Sequence, residues 1–417
     1  MGSLGDIHPF MGLALELQQQ GAKVLLVSGE SYREYIESFG IPFASARPNL
    51  HPNRQEILEA VLDKRNGPRR LHKDFVFKYI RQTHEDVLAL SDGFDLIVGG
   101  SLCFFVPTIA EQKNIPWVNV TLSPVLLWSA YDIPTIPQAP IVSRFLKAAG
   151  PKFAKIFFDI ILRGINFWAS ELHHLRKDLG LKKSAGLYRG MMSSPHLNLM
   201  LFSKYFAAPQ PDWPIPFMQT GFVDFDGQDP TQDPAKESVL DPEIESFLNC
   251  GEAPVLFTLG STASELPGSL LTKFIEASKL ITHRSLFVVG ADTHTKLKHQ
   301  NNDKTFFASY VPYKQIMKRA LVIVHQGGIG TTAQALKSSR PSLIVAEVND
   351  QPDNGVHLNE MGAGRWIHSS KANAETLAQH IEQLVQSEEI QNSAKKIAAL
   401  LNSEKAAMNS AQKILSL

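Results

Sequence analysis

Eight consecutive residues, His325-Gln326-Gly327-Gly328-Ile329-Gly330-Thr331-Thr332, carry the clearest chemical signal in the chain. They follow the apolar run 321–324, which reads as a strand buried on both faces. Glycines let a backbone approach a phosphate closely. A helix starting near Gly330 would aim its free N–H groups and positive dipole end at that anion. His325 would stand at the carboxyl end of the strand, where open α/β sheets bind ligands. A lone Gly-rich loop is equally well explained as a tight strand-to-helix turn. Two further loops weigh against that reading. Phe257-Thr258-Leu259-Gly260-Ser261-Thr262 offers hydroxyls and amides suited to a diphosphate. Asn349-Asp350-Gln351-Pro352-Asp353-Asn354 offers acceptors and donors suited to sugar hydroxyls. Three polar loops at three strand ends of one domain converge on one crevice.

Such loops need a parallel sheet to hold them. Apolar runs at 255–259, 285–289, 321–324 and 342–346 supply strands, with helical patterns at 270–280, 314–318 and 331–337 between them. The first half alternates in the same way. Asp6 and Pro9 start a helix whose Phe10, Leu13, Ala14 and Leu17 fall at i, i+3, i+4, i+7, and Gly21 ends it. A strand at 23–28, a helix at 32–39 and strands at 41–46 and 95–98 follow, then a helix at 106–113 and a strand at 117–121. Residues 143–181 read as mostly helical, 206–217 as turn-rich, and 224–242 as an acidic linker rich in Pro and Gly. Alternation of this kind implies right-handed βαβ units. The expected architecture is α/β, with two similar parallel-sheet domains at 1–228 and 229–417 joined by that linker.

Composition narrows the function. Among 417 residues, 41 Lys and Arg balance 41 Asp and Glu, so a nucleic-acid partner is not expected. Two cysteines, Cys103 and Cys250, support neither a disulfide framework nor a thiolate zinc cluster, and a reducing, cytoplasmic setting fits. The uncharged stretch 114–131 is interrupted by Pro116, Asn119, Thr121, Ser123 and Pro124, so it reads as a buried strand and loop instead of a membrane span. Two short motifs match metal sites, Asp224-Phe225-Asp226 and Glu171-x-x-His174. The first lies in the linker and the second lacks the other carboxylates that a di-iron site requires. No metal is expected.

At the three loops the sequence resembles the family 1 nucleotide-sugar glycosyltransferases, whose GT-B fold has two facing Rossmann-like domains. Their donor signature runs from a histidine, through Gly-Gly-x-Gly-Thr, to an Asp-Gln pair. His325, Gly327, Gly328, Gly330, Thr331, Asp350 and Gln351 match it in order and spacing. The resemblance implies that His325, Gly330 and Thr331 hold the diphosphate, with Ser261 and Thr262 nearby, while Asp350 and Gln351 bind sugar hydroxyls. Tyr310-Val311-Pro312 falls where the family places an aromatic against the nucleobase, which leaves uracil and thymine both open. Residues 2–9 resemble the Gly-Ser-x-Gly-Asp-x-x-Pro motif of bacterial and sterol-acting members, with Ser3, Pro9 and Ser123 on the acceptor side. In that alignment Asp6 replaces the histidine base of plant members, and an attacking hydroxyl needs such a base. An N-cap role for Asp6 competes with this reading.

Ser101–Pro124, the run Phe206-Ala207-Ala208-Pro209-Gln210-Pro211-Asp212-Trp213-Pro214 and Thr220-Gly221-Phe222 further resemble the rhamnosyltransferases of rhamnolipid synthesis. What this implies is an inverting hexosyl transfer from a UDP- or dTDP-linked sugar to a hydroxyl of a lipid or natural product. The nucleotide sugar is then a co-substrate, with no separate cofactor. The apolar stretch 153–168 suits a greasy acceptor, although such a face is more often core, and peripheral contact with the inner membrane face stays open. The rival readings are a non-catalytic auxiliary protein and a GT-B sugar epimerase. A last expectation concerns the start: the motif at 2–9 is a strand-to-helix loop with only Met1 before Gly2, so a strand of roughly 6–10 residues is expected upstream.

Overall fold

The computed structural model describes residues 4–50, 55–63, 66–136, 139–184, 186–225, 227, 240–260 and 268–417. The chain folds into two compact units. One comprises Pro9–Asp224 with Lys405–Leu417; the other comprises Phe225–Glu404 together with the first turn of the N-terminal helix, through His8.

In the first unit, β3 (Ile97–Gly100), β4 (Trp117–Thr121), β5 (Leu197–Met200) and β6 (Phe217–Gln219) form a parallel sheet in that order. β1 (Leu26–Ser28) and β2 (Phe43–Ser45) pair parallel as a separate ribbon. The two pieces share cores: Val24 and Val98 pack in one cluster, Val27 and Ile97 in another. Apolar residues at helical spacing explain the covering layers. Leu13 and Leu17 of the Leu4–Gln19 helix bury against Val118, Val120, Leu197 and Leu199. Ala411 and Ile414 of the Ala406–Leu415 helix join the same cluster, and Thr220 Oγ1 meets Ser410 Oγ at 2.8 Å.

The second unit holds one six-stranded parallel sheet, β12-β11-β10-β7-β8-β9. Its strands are β7 (Val255–Thr258), β8 (Ser285–Val288), β9 (Thr305–Ala308), β10 (Ile323–His325), β11 (Ser342–Ala346) and β12 (Gly364–His368). β7, β8 and β9 step outward one way; β10 returns beside β7, and β11 and β12 step outward the other way. The order reverses between β7 and β10, the switch point at which doubly wound sheets open a crevice. Every residue of β7, β8, β10 and β11 is buried, as continuous apolar strands between two helical layers must be.

Several elements differ from expectation. The N-terminal helix already includes Leu4, so Asp6 lies inside its first turn and Pro9 within the helix. Asp6 is therefore no N-cap, although a carboxylate in a first turn still complements the dipole. The described residues between 55 and 90, which the sequence pattern leaves unassigned, form a succession of short helices that includes a π-helical turn at Leu71–Val76. Among the described residues no helix is long and apolar enough to cross a membrane.

Candidate functional site

The site is built from the ends of three adjacent strands. His325 closes β10 in register with Thr258 of β7 and Ile344 of β11, which puts it at the switch point. The side chain is fully buried. Its Nδ1 accepts the Gly327 N–H at 3.1 Å, so the ring proton belongs on Nε2. That Nε2 is buried and has no partner among the described residues. Burial without a compensating charge holds the imidazole pKa down to about 3. His325 is therefore a neutral donor with one fixed, unused N–H.

The chain then turns sharply. Gly327 has φ +94°, and a Cβ there would lie 2.6 Å from Ile344 Cγ2, so the loop between His325 and the next helix requires glycine. Gly328 is the N-cap of the Ile329–Lys337 helix and, lacking a side chain, makes no cap bond. The first-turn N–H groups consequently have no side-chain partner at the N-cap, and Gly330 and Thr331 present them beside His325. The β7 loop comes close: a Cβ on Gly260 would meet Gln326 Nε2 at 3.1 Å and Thr331 Oγ1 at 3.4 Å. Thr258 Oγ1 fixes that loop by accepting from Gly260 N at 3.2 Å and by pairing with the Tyr313 hydroxyl.

The loop after β11 completes the set. Asn354 is fully buried, and its Nδ2 donates to Gly327 O and to Asp350 Oδ2, both at 2.8 Å. One amide thus ties the Gly-rich loop to the acidic loop. Burial raises the Asp350 carboxyl to about 6; the Asn354 hydrogen bond opposes this, while the charges of Asp6 and Asp353 add to it. Gln351 spends its Oε1 on the Glu347 and Val348 amides at 2.8 and 3.1 Å, which leaves only its Nε2 for a ligand. Sequence reasoning counts Asn354 only among the polar groups of a sugar-binding loop, not as a tie between loops, and assigns no role to Gln326. The signal for Asn354 is its fixed offset of four residues from Asp350, one helical turn.

The remaining residues are placed as follows. Tyr310 is half-buried and its hydroxyl donates to Gly227 O. Val311 is buried in the core with Leu256, Leu286 and Ile323. Asp6 is exposed, and His8, two residues on, meets the Phe225 ring edge-on at 5.1 Å; burial lowers His8 to about 4. Ser123, beyond β4, is buried with an unpartnered hydroxyl. Pro9 sits in the helix body. Ser3, Ser261, Thr262 and Asp226 lie outside the described residues. Glu171 and His174 form an exposed pair 3.7 Å apart. Asp212 of the 206–214 run anchors a turn, accepting from Ser129 Oγ and Ala130 N, both at 2.7 Å. The 153–168 stretch is divided: Phe158, Leu162 and Ile165 are core, whereas Phe153, Ile156 and Ile160 are exposed.

Known proteins resemble the chain over most of its length. Residues 1–131 match the glycosyltransferase family 28 N-terminal domain, and residues 287–417 match the erythromycin biosynthesis protein CIII-like C-terminal domain. The chain is 28% identical over 399 residues to O-mycaminosyltylonolide 6-deoxyallosyltransferase of Streptomyces fradiae, covering 92% of this chain and 88% of that one. It is 25% identical over 389 residues to a sterol 3-beta-glucosyltransferase of Arabidopsis thaliana, covering 87% of this chain and 56% of the plant enzyme. Among solved structures, spinosyn rhamnosyltransferase SpnG superposes with a TM-score of 0.68 at 17% identity, over 99% of this chain and 97% of that one. Glycosyltransferase VinC in complex with dTDP does so with a TM-score of 0.68 at 17% identity, over 99% and 96%. The chain thus has the GT-B fold of the glycosyltransferases and is an enzyme that transfers sugars.

Proposed function

We propose that this enzyme takes a dTDP- or UDP-linked hexose and transfers it, with inversion, to a hydroxyl of a hydrophobic natural product, sterol or lipid. One observation carries the donor half of the reading: a buried, neutral His325 with an unpartnered Nε2–H stands beside the uncapped start of the Ile329–Lys337 helix. A diphosphate satisfies both at once. The orphan donor gains an acceptor, and the dipole end gains an anion. SpnG and VinC, solved with thymidine diphosphate, support the same class of donor. The macrolide 6-deoxyallosyltransferase and the sterol glucosyltransferase support a bulky apolar acceptor.

In the proposed step an acceptor oxygen attacks the anomeric carbon as the bond from that carbon to the β-phosphate oxygen breaks. The nucleoside diphosphate leaves with the electron pair, and the acceptor proton passes to the Asp6 carboxylate. His325 Nε2–H and the Gly330 and Thr331 amides stabilise the leaving charge, which is preorganised electrostatics of the oxyanion-hole kind. Asp350 and the Nε2 of Gln351 orient the sugar hydroxyls, and Tyr310 faces the base. The test is a donor panel of dTDP-rhamnose, UDP-glucose and UDP-galactose with a mixture of hydroxylated lipids, sterols and macrolide aglycones, with transfer read by mass spectrometry and the configuration of product and donor by proton NMR. A hexosylated acceptor of inverted anomeric configuration is expected. Epimerised donor without transfer, or no turnover of any donor, would overturn the reading.

A further inference from the structure

The first unit carries an apolar surface that none of the described residues covers. The Pro140–Ala149 and Pro151–Asn166 helices, joined only through Gly150 with φ +87°, pack on one another through Leu146, Ala154 and Phe158. Beyond that buried seam, Ile141, Phe145, Phe153, Ile156, Ile160 and Phe167 are 46–85% exposed. Their spacing is ordered. At 100° per residue, positions 153, 156, 160 and 167 fall within one face of the helical path, away from the buried 154, 158, 162 and 165. Phe145 and Phe153 touch edge-to-face at 5.7 Å, so the exposed groups of the two helices form one continuous strip.

Charge distinguishes this strip from core left bare. The two helices hold five exposed basic residues, Arg144, Lys147, Lys152, Lys155 and Arg163, against a single acid. That acid, Asp159, is neutralised by Arg189 at 2.6 Å. Large apolar side chains rimmed by lysine and arginine complement one kind of surface, an anionic bilayer. There the apolar groups enter the acyl boundary while the basic heads reach lipid phosphates. Self-association is disfavoured, since apposing two such faces would bring ten cationic groups together. We propose that this helical hairpin seats the enzyme on the surface of a bilayer rich in anionic phospholipid. Such seating does not depend on which donor or acceptor the enzyme uses.

The experiment is vesicle flotation of the full chain with phosphatidylglycerol–phosphatidylcholine and with phosphatidylcholine alone, at low and high salt. Two triple variants accompany the wild type: Phe145→Ser/Ile156→Ser/Ile160→Ser and Lys147→Gln/Lys152→Gln/Lys155→Gln. Wild type should float with the anionic vesicles, and less so at high salt or without the anionic lipid. Each lysine near such a surface contributes about fivefold, so the charge variant should partition about 100-fold less. The serine variant should lose binding to both vesicle types. Melting temperatures identify a variant that has lost its fold, and the salt dependence and the charge variant decide independently of it. Failure of the wild type to float, or flotation unchanged in both folded variants, overturns the proposal. So does a wild-type dimer in light scattering that the serine variant converts to monomer, because the strip would then be covered by a second copy.

Discussion

Replacing His325 separates two functions that one imidazole performs. Nδ1 accepts from Gly327 N and so holds the loop; Nε2–H has no partner among the described residues and is the donor proposed for the leaving diphosphate. Asparagine can place an amide oxygen near the Nδ1 position and has nothing at Nε2, whereas alanine has neither. His325→Asn should therefore keep the loop and lose the donor. Removing one charge-stabilising donor costs about 10²–10³ in turnover, and this loss is expected in both variants. His325→Ala should in addition leave the buried Gly327 N–H unsatisfied, at about 1–3 kcal/mol of stability. With the folded pKa near 3, only about one imidazole in ten thousand is charged at pH 7. The wild-type rate should thus show no inflection from this residue near pH 6.5. Nucleoside diphosphate release from the most active donor gives the rates, and thermal melts give the stabilities. Turnover in His325→Asn within tenfold of wild type would refute the donor role. A wild-type inflection near pH 6.5 that disappears in the variant would refute the neutral imidazole.

Three further outcomes follow from the same geometry. Asp6→Asn should abolish most transfer while dTDP affinity measured by calorimetry stays nearly intact; if binding is lost along with transfer, the residue is structural and the base lies elsewhere. Asn354→Ala frees the Gly327 carbonyl and the Asp350 carboxylate inside the protein. A loss of about 2 kcal/mol is expected, or roughly 4–8 °C in melting temperature, with a raised KM for the donor; an unchanged melt would show that the two loops are held otherwise. Acid should destabilise the fold. His8 and His325 titrate near 4 and 3 when folded and near 6.5 when unfolded, so their contribution is complete above pH 6.5 and falls as pH drops toward the folded values. From pH 7.5 to 5.5 the two together cost about 3 kcal/mol, and Asp350, raised to about 6, returns about 1, for a net loss near 2. Denaturant midpoints at the two pH values measure it, and equal midpoints would contradict the burial of these histidines.

The site was legible in the sequence where chemistry and periodicity coincide. An apolar run followed by His-x-Gly-Gly-x-Gly can hardly be anything but a strand, a tight turn and a helix start, because Gly327 alone tolerates its φ and the approach of Ile344. The 106–113 helix and the 117–121 strand were bounded to the residue, since Pro107 and Asn114 punctuate them plainly. Other features depend on tertiary packing. β12 (Gly-Arg-Trp-Ile-His) is an edge strand, half-buried over most of its length, and so lacks an apolar run. The π-helical turns at Leu71–Val76 and Leu187–Met191 meet where Tyr188 and the buried His72 share a 3.0 Å hydrogen bond, a pairing across 116 residues that no local pattern encodes. Likewise, the sequence marks Gln351 as polar but cannot tell that its carbonyl oxygen is already occupied by two backbone amides.

The most direct measurement is a calorimetric comparison of thymidine, dTMP and dTDP binding to the wild-type enzyme. If the β-phosphate is held by His325 Nε2–H and the start of the Ile329–Lys337 helix, dTDP should bind one to one and at least about tenfold more tightly than dTMP, the worth of one charge-assisted hydrogen bond. Thymidine should be weaker still. Equal affinities for dTMP and dTDP, or no binding of either while UDP also fails, would contradict a diphosphate site at the end of β10.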